Sequence, residues 1–315
     1  MTQAGDGAAD PAQAPARPGA PLLGIMVLLL IATAMGSNHV ASRVAFDHGA
    51  SVPTAVLARA GLNALFALAL VRAAGLSLAL PGLTLGRAAL VGVLLTVQSL
   101  CITSAVARMP VALALLVFNT FPITLAVLSW ASGGERPNRR AMIAMPVAFA
   151  GLALALGARP GAFAAGGDHD YLGGVLLAGC ASLAFGSVLL LTTRWLGAVD
   201  GRVRTLLMMV VIVVLTLIAA PAVGGFRAPA DATGWLGLAL LALLYSGGIT
   251  TLFVVLPRLG VVNNAAVLNF EPIAAMAMAW LVLDQAMVPL QLLGAALVVA
   301  AIVSLSTGGP RRDAR

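Results

Sequence analysis

Two short stretches of this sequence are nearly the same: residues 117–123 read VFNTFPI, and residues 267–273 read VLNFEPI. Each stretch places an asparagine three residues before a proline inside an apolar run. The two stretches lie 150 positions apart, close to half of the 315-residue chain. Repetition over such a distance indicates that the chain consists of two related halves.

The match extends beyond this motif when the halves are aligned at the same offset. The residue types that coincide in this register are uncommon in apolar helices, and the pairs are Arg108 with Arg258, Asn119 with Asn269, Pro122 with Pro272, Trp130 with Trp280, Gly36 with Gly186, and Ser37 with Ser187. Leu and Ala coincide by chance in any apolar sequence, so the rarer pairs are the evidence for a repeat.

The composition is that of a protein built for lipid. Hydrophobic residues make up 61% of the chain and charged residues 9%, against about 45–50% and about 25% in soluble domains. The 18 basic residues are all arginines, and they are scattered between apolar runs without forming a basic face, which argues against nucleic acid as a partner. Cys101 and Cys180 fall in apolar runs and are predicted to be packing thiols without a disulfide or a metal.

The apolar runs can be divided by the length of a membrane helix, about 20 residues. The division predicts ten spans, near residues 22–45, 52–71, 87–107, 110–131, 140–157, 171–193, 203–220, 235–256, 261–283 and 288–306. Residues 1–21 and 307–315 are predicted to be cytoplasmic tails, the first of them disordered. The stretch after residue 20 has the apolar core of a secretory signal but lacks a basic start, so it is predicted to be the first span.

Five spans in each half would give the halves opposite orientations, because an odd number of crossings brings the second half in from the other face. We therefore predict an all-α membrane protein of ten transmembrane helices, arranged as two inverted five-helix repeats over residues 22–157 and 171–306. With the N-terminus inside, 13 arginines face the cytoplasm and 3 face outward. The positive-inside rule then predicts cytoplasmic termini, and we expect the protein in a bacterial inner membrane.

The repeated motif predicts a kink in the fourth and ninth spans. A proline lacks an N–H, so Pro122 and Pro272 would each leave the carbonyl four residues earlier without its donor, which is costly at membrane depth. Asn119 and Asn269 stand one residue beyond those carbonyls and are candidate donors. Two interpretations stay open: the kinks are packing devices inherited from an ancestral half, or they border a cavity between the halves.

One position breaks the symmetry of the motif, because Phe121 in the first half corresponds to Glu271 in the second. The helical rise places Glu271 near the middle of its span, where a carboxylate is costly and marks a functional candidate. Arg59 in the second span is its candidate partner, since the depths of the two residues differ by roughly 8 Å. The alternatives for Glu271 are a structural ion pair and a carboxyl group that stays neutral.

Other polar residues in or near the spans are candidates for substrate contact or, more simply, for bonding between helices: Asn38, Gln98, Tyr245 and Asn264. Arg43 lies near the outer end of the first span, where its side chain would also reach the interface. His39 is too weak a signal to predict a proton relay. His48 and His169 are placed in loops.

Four segments, in their order and spacing, carry a resemblance to a known family: MGSNHVASRVA (35–45), PTAVLARAGL (53–62), FPITLAVLSWASGGERP (121–137) and LNFEPIAAMAMAWLVLDQ (268–285). They resemble the EamA-like branch of the drug/metabolite transporter superfamily. The resemblance implies a ten-helix exporter or exchanger with two repeats, a central cavity and cytoplasmic termini.

Carried over by this resemblance, the functional residues are Asn38, Arg43, Arg59, Pro122, Glu135, Glu271 and Pro272. The sequence also departs from the family pattern. A Gly-Glu pair closes each half in the family, and Gly134-Glu135 fits it, but the second half has Asp284-Gln285. No role that requires two such glutamates is therefore expected.

We predict a secondary transporter that exports small metabolites, such as amino acids or related compounds, by alternating access, with proton coupling left open. A sugar-phosphate or nucleotide-sugar exchanger would need several cations in the cavity, and only Arg59 and Arg43 qualify. A non-transporting sensor or assembly protein is the other alternative. A chain without lysine cannot contain the P-loop sequence, and neither a cofactor nor enzyme activity is expected. The expected partners are a small-molecule substrate, the bilayer and, as an open question, a second copy.

Overall fold

The structure is a computed structural model that describes residues 20–134, 139–157, 171–259 and 270–306. These residues form helices joined by short loops, with no β-strand among them, as expected where the backbone must satisfy its own hydrogen bonds in lipid. In chain order the α-helices are α1 (Ala20–Asp47), α2 (Val52–Ala73), α3 (Gly82–Arg108), α4 (Val111–Phe118), α5 (Phe121–Ala131), α6 (Arg139–Gly157), α7 (Tyr171–Trp195), α8 (Gly201–Ala219), α9 (Ala232–Leu259), α10 (Glu271–Leu283) and α11 (Pro289–Ser306).

Seven stretches of the described residues are helical, long and apolar enough to cross a membrane: Met26–Asp47, Val52–Ala73, Gly82–Arg108, Val111–Ala131, Tyr171–Trp195, Gly201–Val223 and Ala232–Thr251. Three shorter apolar helices lie within the fifth, ninth and tenth predicted spans: Met142–Ala155, Glu271–Leu283 and Pro289–Ala301. The first part of the ninth predicted span lies outside the described residues. The all-helical prediction is confirmed, whereas seven helices, and not ten, meet the length criterion in this part of the chain.

Local sequence signals explain where several helices begin and end. The Ser51 Oγ accepts a hydrogen bond from the backbone of Thr54 at the start of α2, which also has a proline in its first turn. Asp200 caps α8 in the same way, and the hydrogen bond from the Arg202 side chain holds the pKa of Asp200 below its usual value. Gly133, with φ of +85°, supplies the left-handed conformation that follows α5.

The helices pack in a two-fold pattern. Helix α1 packs along α9, and its counterpart α7 packs along α3. Helix α1 also contacts α10 as α7 contacts α5, and α2 contacts α9 as α8 contacts α3. Helices α2 and α8 pair with each other, and so do α6 and α11. Exchanging the halves turns each of these contacts into its counterpart or, for α2–α8 and α6–α11, leaves it unchanged, so the repeat in sequence is also a repeat in packing.

The repeated glycines, Gly36 and Gly186, lie where two of these helix pairs cross closely. A Cβ atom at Gly36 in α1 would lie 2.7 Å from the carbonyl oxygen of Glu271 and 2.8 Å from the nitrogen of Ala275. At Gly186 in α7, a Cβ atom would lie 3.1 Å from the nitrogen of Leu125. Leu125 corresponds to Ala275 at the offset of 150. The same close crossing therefore holds the start of α10 in one half and of α5 in the other.

Loops from both halves meet at one end of the helices. The Ser51 N–H donates to the carbonyl of Arg227, and the Arg227 N–H donates to the Ser51 Oγ, both at 3.0 Å. The Nδ1 atom of His48 lies 2.6 Å from the Oδ2 of Asp231, whose Oδ1 accepts the Gly234 N–H at 2.9 Å. We call His48, Ser51, Arg227 and Asp231 the loop clasp. At the other end, the α2–α3 and α7–α8 loops lie side by side.

The first prediction concerns the crossing at Gly36. Gly36→Ala is expected to lower the thermal unfolding midpoint of the purified protein, because the added Cβ would force α1 and α10 apart. Gly61→Ala is the matched control, since a Cβ at that helical position meets nothing within 4 Å. The control should be neutral or stabilising by up to about 1 kcal/mol. Equal midpoints for the two variants would show that the crossing relaxes without cost.

The second prediction is that the loop clasp weakens in acid. The Gly234 N–H and the His48 side chain hold the pKa of Asp231 below its usual value. The stabilisation is therefore present above the unfolded pKa, about 4, and is lost as the pH falls through the folded pKa. Asp231→Asn removes the charge at every pH. Its deficit in thermal midpoint relative to the parent should shrink below about pH 4, and a deficit that does not change with pH would contradict the assignment.

Candidate functional site

A cavity of about 250 Å³ lies between the two halves. Its walls come from α1, α2, α3, the α4–α5 region, α7, α9 and the start of α10. The residues that line it are Ile31, Ala32, Met35, Asn38, His39, Arg59, Leu95, Gln98, Phe118, Asn119, Phe121, Phe185, Tyr245, Ile249 and Glu271. Pockets for drug-sized ligands are roughly 300–1,000 Å³, so this volume suits a small metabolite.

The polar side of the cavity does not follow the two-fold pattern. Five of its polar residues, Asn38, His39, Arg59, Gln98 and Glu271, have nonpolar counterparts at the offset of 150, namely Val188, Leu189, Met209, Gly248 and Phe121. Asn119 is the exception, because its counterpart is Asn269. The repeat thus supplies the helices that surround the site, and residues that occur in only one of the halves supply its charges.

Glu271 lies beside His39 at the edge of the cavity. Glu271 is the first residue of α10, and its side chain is 24% exposed. Its Oε1 lies 4.0 Å from the Nε2 of His39 in α1, which is too long for a direct hydrogen bond but close enough for the charge on one group to affect the other. Sequence reasoning missed His39. The signal that could have found His39 was Gly36. Gly36 lies one helical turn earlier, on the face of α1 that contacts α10.

Arg59 is held by uncharged groups. Its Nη2 donates to the Ser99 Oγ at 2.8 Å, and its guanidinium carbon lies 5.0 Å from the centre of the Tyr245 ring. The candidate ion pair between Arg59 and Glu271 is not formed in the described part of the chain, since Glu271 has His39 as its ion-pair neighbour. The depths along the helices suggested that pair, but Arg59 binds Ser99 and lies against the Tyr245 ring instead.

Pro122 lies just after a short break between two helices of the fourth span. Helix α4 ends at Phe118 and α5 begins at Phe121, which places Pro122 in the first turn of α5, where its missing N–H removes no helical bond. The backbone N–H and the Nδ2 of Asn119 both donate to the carbonyl of Leu115 at 2.8 Å. The predicted kink is therefore a break, and Asn119 serves Leu115 instead of the carbonyl of Phe118.

The second copy of the motif is described only in part. Pro272 lies in the first turn of α10, as Pro122 does in α5. Asn269 lies outside the described residues, as do Asn264, Glu135 and His169.

Three phenylalanines form an apolar wall of the cavity, which we call the phenylalanine wall. The ring centres of Phe118 and Phe121 are 5.7 Å apart, and those of Phe118 and Phe185 are 5.5 Å apart. Phe121 and Phe185 meet edge to face at 4.9 Å. The mutual contacts fix the three rings against one another, so the wall is a preformed apolar surface.

Two more predicted residues, Asn38 and Gln98, also line the cavity. The Nδ2 of Asn38 donates to the carbonyl of Met35, and its buried Oδ1 has no hydrogen-bond partner within the described ranges. Cys101 and Cys180 are free thiols.

Arg43 does not line the cavity. Its Nε donates to the Oδ1 of Asp47 at 2.9 Å, and its Nη1 donates to the carbonyls of Val106 and Ala107 at 3.2 and 3.3 Å. These bonds join the end of α1 to the end of α3. Arg43 therefore has a structural role at the ends of α1 and α3, and it is not one of the residues that line the cavity.

The departure at Asp284-Gln285 also has a structural account. The Oε1 of Gln285 accepts the backbone N–H of Val111 at 3.1 Å, so a side chain of the second half caps the first turn of α4. Asp284 adopts a φ of 51° at the end of α10.

Comparison with known proteins agrees with this geometry. The model of the EamA-like transporter family matches residues 22–157 and, a second time, residues 172–307. The chain belongs to the EamA-like transporter family. Among curated proteins, no sequence matches this chain.

One solved structure has a similar fold. It is a crystal structure of a protein that shares 19% sequence identity, and the match covers 92% of this chain and 96% of the other, with a TM-score of 0.62. At this identity the likeness concerns the fold alone. The double family match, by itself, is consistent with the drug/metabolite transporter superfamily.

Proposed function

We propose that the protein exports small metabolites, such as amino acids or related compounds, by alternating access, in exchange for protons. The observation that carries the proposal is the cavity between the halves, with Glu271 on its lining. A group of this kind within predicted membrane spans is a functional candidate by default, and a cavity at the interface of two repeats is where secondary transporters bind substrate.

The proposal includes ten spans in two inverted halves. In its support, α1 ends at the loop clasp beside His48, whereas its counterpart α7 ends at Trp195 near the opposite loops. Counterpart helices that end at opposite ends of the molecule run in opposite directions, as an inverted repeat requires. The arginine asymmetry favours cytoplasmic termini, and the proposal includes a location in a bacterial inner membrane.

Proton exchange would use Glu271 as the shared site. The carboxyl is exposed to the cavity and lies 4.0 Å from the imidazole of His39, so either a proton or a donor group of the substrate can neutralise it. Binding of one then disfavours binding of the other, and this mutual exclusion is the linkage that antiport needs. His39 would accept or return the proton through a bridging water.

An exchanger of sugar phosphates has less support. A phosphate monoester carries a charge of about −1.5 to −2 at pH 7. The residues that line the cavity include one arginine, and the imidazole of His39 is placed beside Glu271. The positive charge needed for a dianion is therefore not gathered at this site.

The experiment that tests transport is a comparison of metabolites secreted by cells that express the protein and by cells that do not. A carrier should increase the secretion of a small group of related compounds. An unchanged secretion profile, with the protein present in the membrane, would favour the sensor or assembly alternative.

The third prediction concerns the coupling residue. Glu271→Gln keeps the size of the side chain but cannot titrate, so membrane vesicles with an imposed pH gradient should lose gradient-driven accumulation of the secreted compound. Exchange of labelled for unlabelled compound should continue, since it moves no net proton. Glu271→Asp, which keeps the carboxyl, is the control. If Glu271→Gln accumulates the compound as well as the parent does, coupling lies elsewhere.

The fourth prediction concerns orientation. A reporter fused after residue 165, between the two family matches, should face outward, and a reporter fused at residue 315 should face the cytoplasm. Paired reporters with opposite activity requirements, such as a phosphatase and a fluorescent protein, would measure this. Both positions on the same face would exclude an inverted repeat.

A further inference from the structure

Arg59 is a buried cation whose described partners are all uncharged. The residue is 4% exposed, and Ser99 and the Tyr245 ring are its side-chain partners. A hydroxyl and an aromatic ring orient the guanidinium, but they do not supply a negative charge. A buried charge without a counter-ion is costly in a protein interior.

The chain itself offers no acid to pair with Arg59 in the residues that the structure describes. Glu271 lies beside His39, and Asp47 is bound by Arg43. The other acids of the described ranges lie in loops. Residues 260–269, which lie outside those ranges next to α10, contain neither Asp nor Glu. A ligand in the cavity is therefore the available source of the opposite charge.

The free donors of Arg59 are placed to receive such a ligand. A guanidinium carries five N–H donors in one plane, and Ser99 takes its hydrogen bonds from Nη2 alone. Within the described ranges, Nε and Nη1 make no hydrogen bond, and Arg59 lines the cavity. A planar carboxylate matches two neighbouring N–H donors of a guanidinium.

The rest of the cavity lining is largely apolar. The phenylalanine wall, together with Leu95 and Ile249, gives an apolar surface in the same space as Arg59. A ligand held at Arg59 by an anionic group would place a compact apolar body against these side chains. The volume of about 250 Å³ limits the size of that body.

We propose that the ligand of this cavity is a small organic carboxylate with an apolar body, bound by its carboxylate to Arg59 and by its apolar part to the phenylalanine wall. The inference names the substrate class of the proposed transporter and rests on that function for its transport. A cationic amine without a carboxylate would be repelled by Arg59. A phosphate dianion would require a second free cation.

The test is a binding measurement on the full-length protein in lipid nanodiscs. Isothermal titration would use four probes that share a phenyl group: 3-phenylpropanoate, its neutral amide, 3-phenylpropylamine and phenyl phosphate. The variant is Arg59→Gln. The matched control is Arg87→Gln, which removes an arginine that also lies over an aromatic ring, that of Trp195 at 5.7 Å, but that does not line the cavity.

We expect the parent to bind 3-phenylpropanoate at least about tenfold more tightly than the amide, the margin of one charge-assisted hydrogen-bonded contact. Arg59→Gln should lose that preference and leave the affinity for the amide unchanged, while Arg87→Gln should behave as the parent does. Equal affinity for carboxylate and amide, tighter binding of the amine or the phosphate, or no binding of any probe would overturn the proposal. If Arg59→Gln does not fold, the relative affinities of the parent protein for the four probes decide whether the proposal holds.

Transport in vesicles separates this inference from the proposed function. Binding of the carboxylate without any transport would overturn the proposed function and leave the anion site intact. Transport of compounds that carry no anionic group would overturn the anion site and leave the transporter intact.

Discussion

The backbone of α1 touches the backbone of α10 at Gly36, and much of the site depends on this contact. A side chain at that position would meet the carbonyl oxygen of Glu271 within 2.7 Å, so the two helices could not approach as they do. Because they approach, the residue one turn after Gly36 comes beside the residue that starts α10, and His39 faces Glu271 at 4.0 Å. Neither side chain alone makes a site. The missing side chain of the glycine brings them together.

The same contact in the other half has a different result. At Gly186, α7 crosses the start of α5, where Phe121 stands in place of Glu271. Phe121 packs edge to face on Phe185 at 4.9 Å and extends the apolar lining of the cavity. One crossing thus delivers a carboxyl group and its copy delivers an aromatic ring. A repeated frame can hold an amphipathic site when the residues at equivalent positions diverge.

Much of this arrangement could be predicted from the sequence, because it depends on composition and on position along the chain. The repeat, the helical segments and the family follow from apolar lengths and from rare residues in one register, such as Asn119 and Trp130 with their partners. The rotation of each helix about its axis does not follow from these data. For that reason the sequence placed Arg59 and Glu271 at compatible depths but could not tell that Arg59 turns to Ser99 and Tyr245.

Local backbone chemistry explains why the predicted kink at Pro122 is a break between α4 and α5. A proline in an apolar run predicts a disturbed helix, but whether the helix bends or stops depends on what satisfies the neighbouring groups. Here the Asn119 side chain returns to Leu115, which completes the last turn of α4 and lets a new helix begin at Phe121. The role of Arg43 also could not be derived from the sequence, because its hydrogen bonds go to carbonyls of α3 that are more than 60 residues away.

The bond between Gln285 and Val111 bears on the order in which the protein is assembled. The acceptor for the first N–H of α4 is 174 positions later in the chain, so a ribosome must make almost the whole protein before that N–H finds its partner. Domains generally fold in the order of synthesis, but here the first half leaves the ribosome with an unfinished helix start. The second half, which is synthesised later, thus completes a helix of the first half, and the fold is finished only after the C-terminal helices have been made.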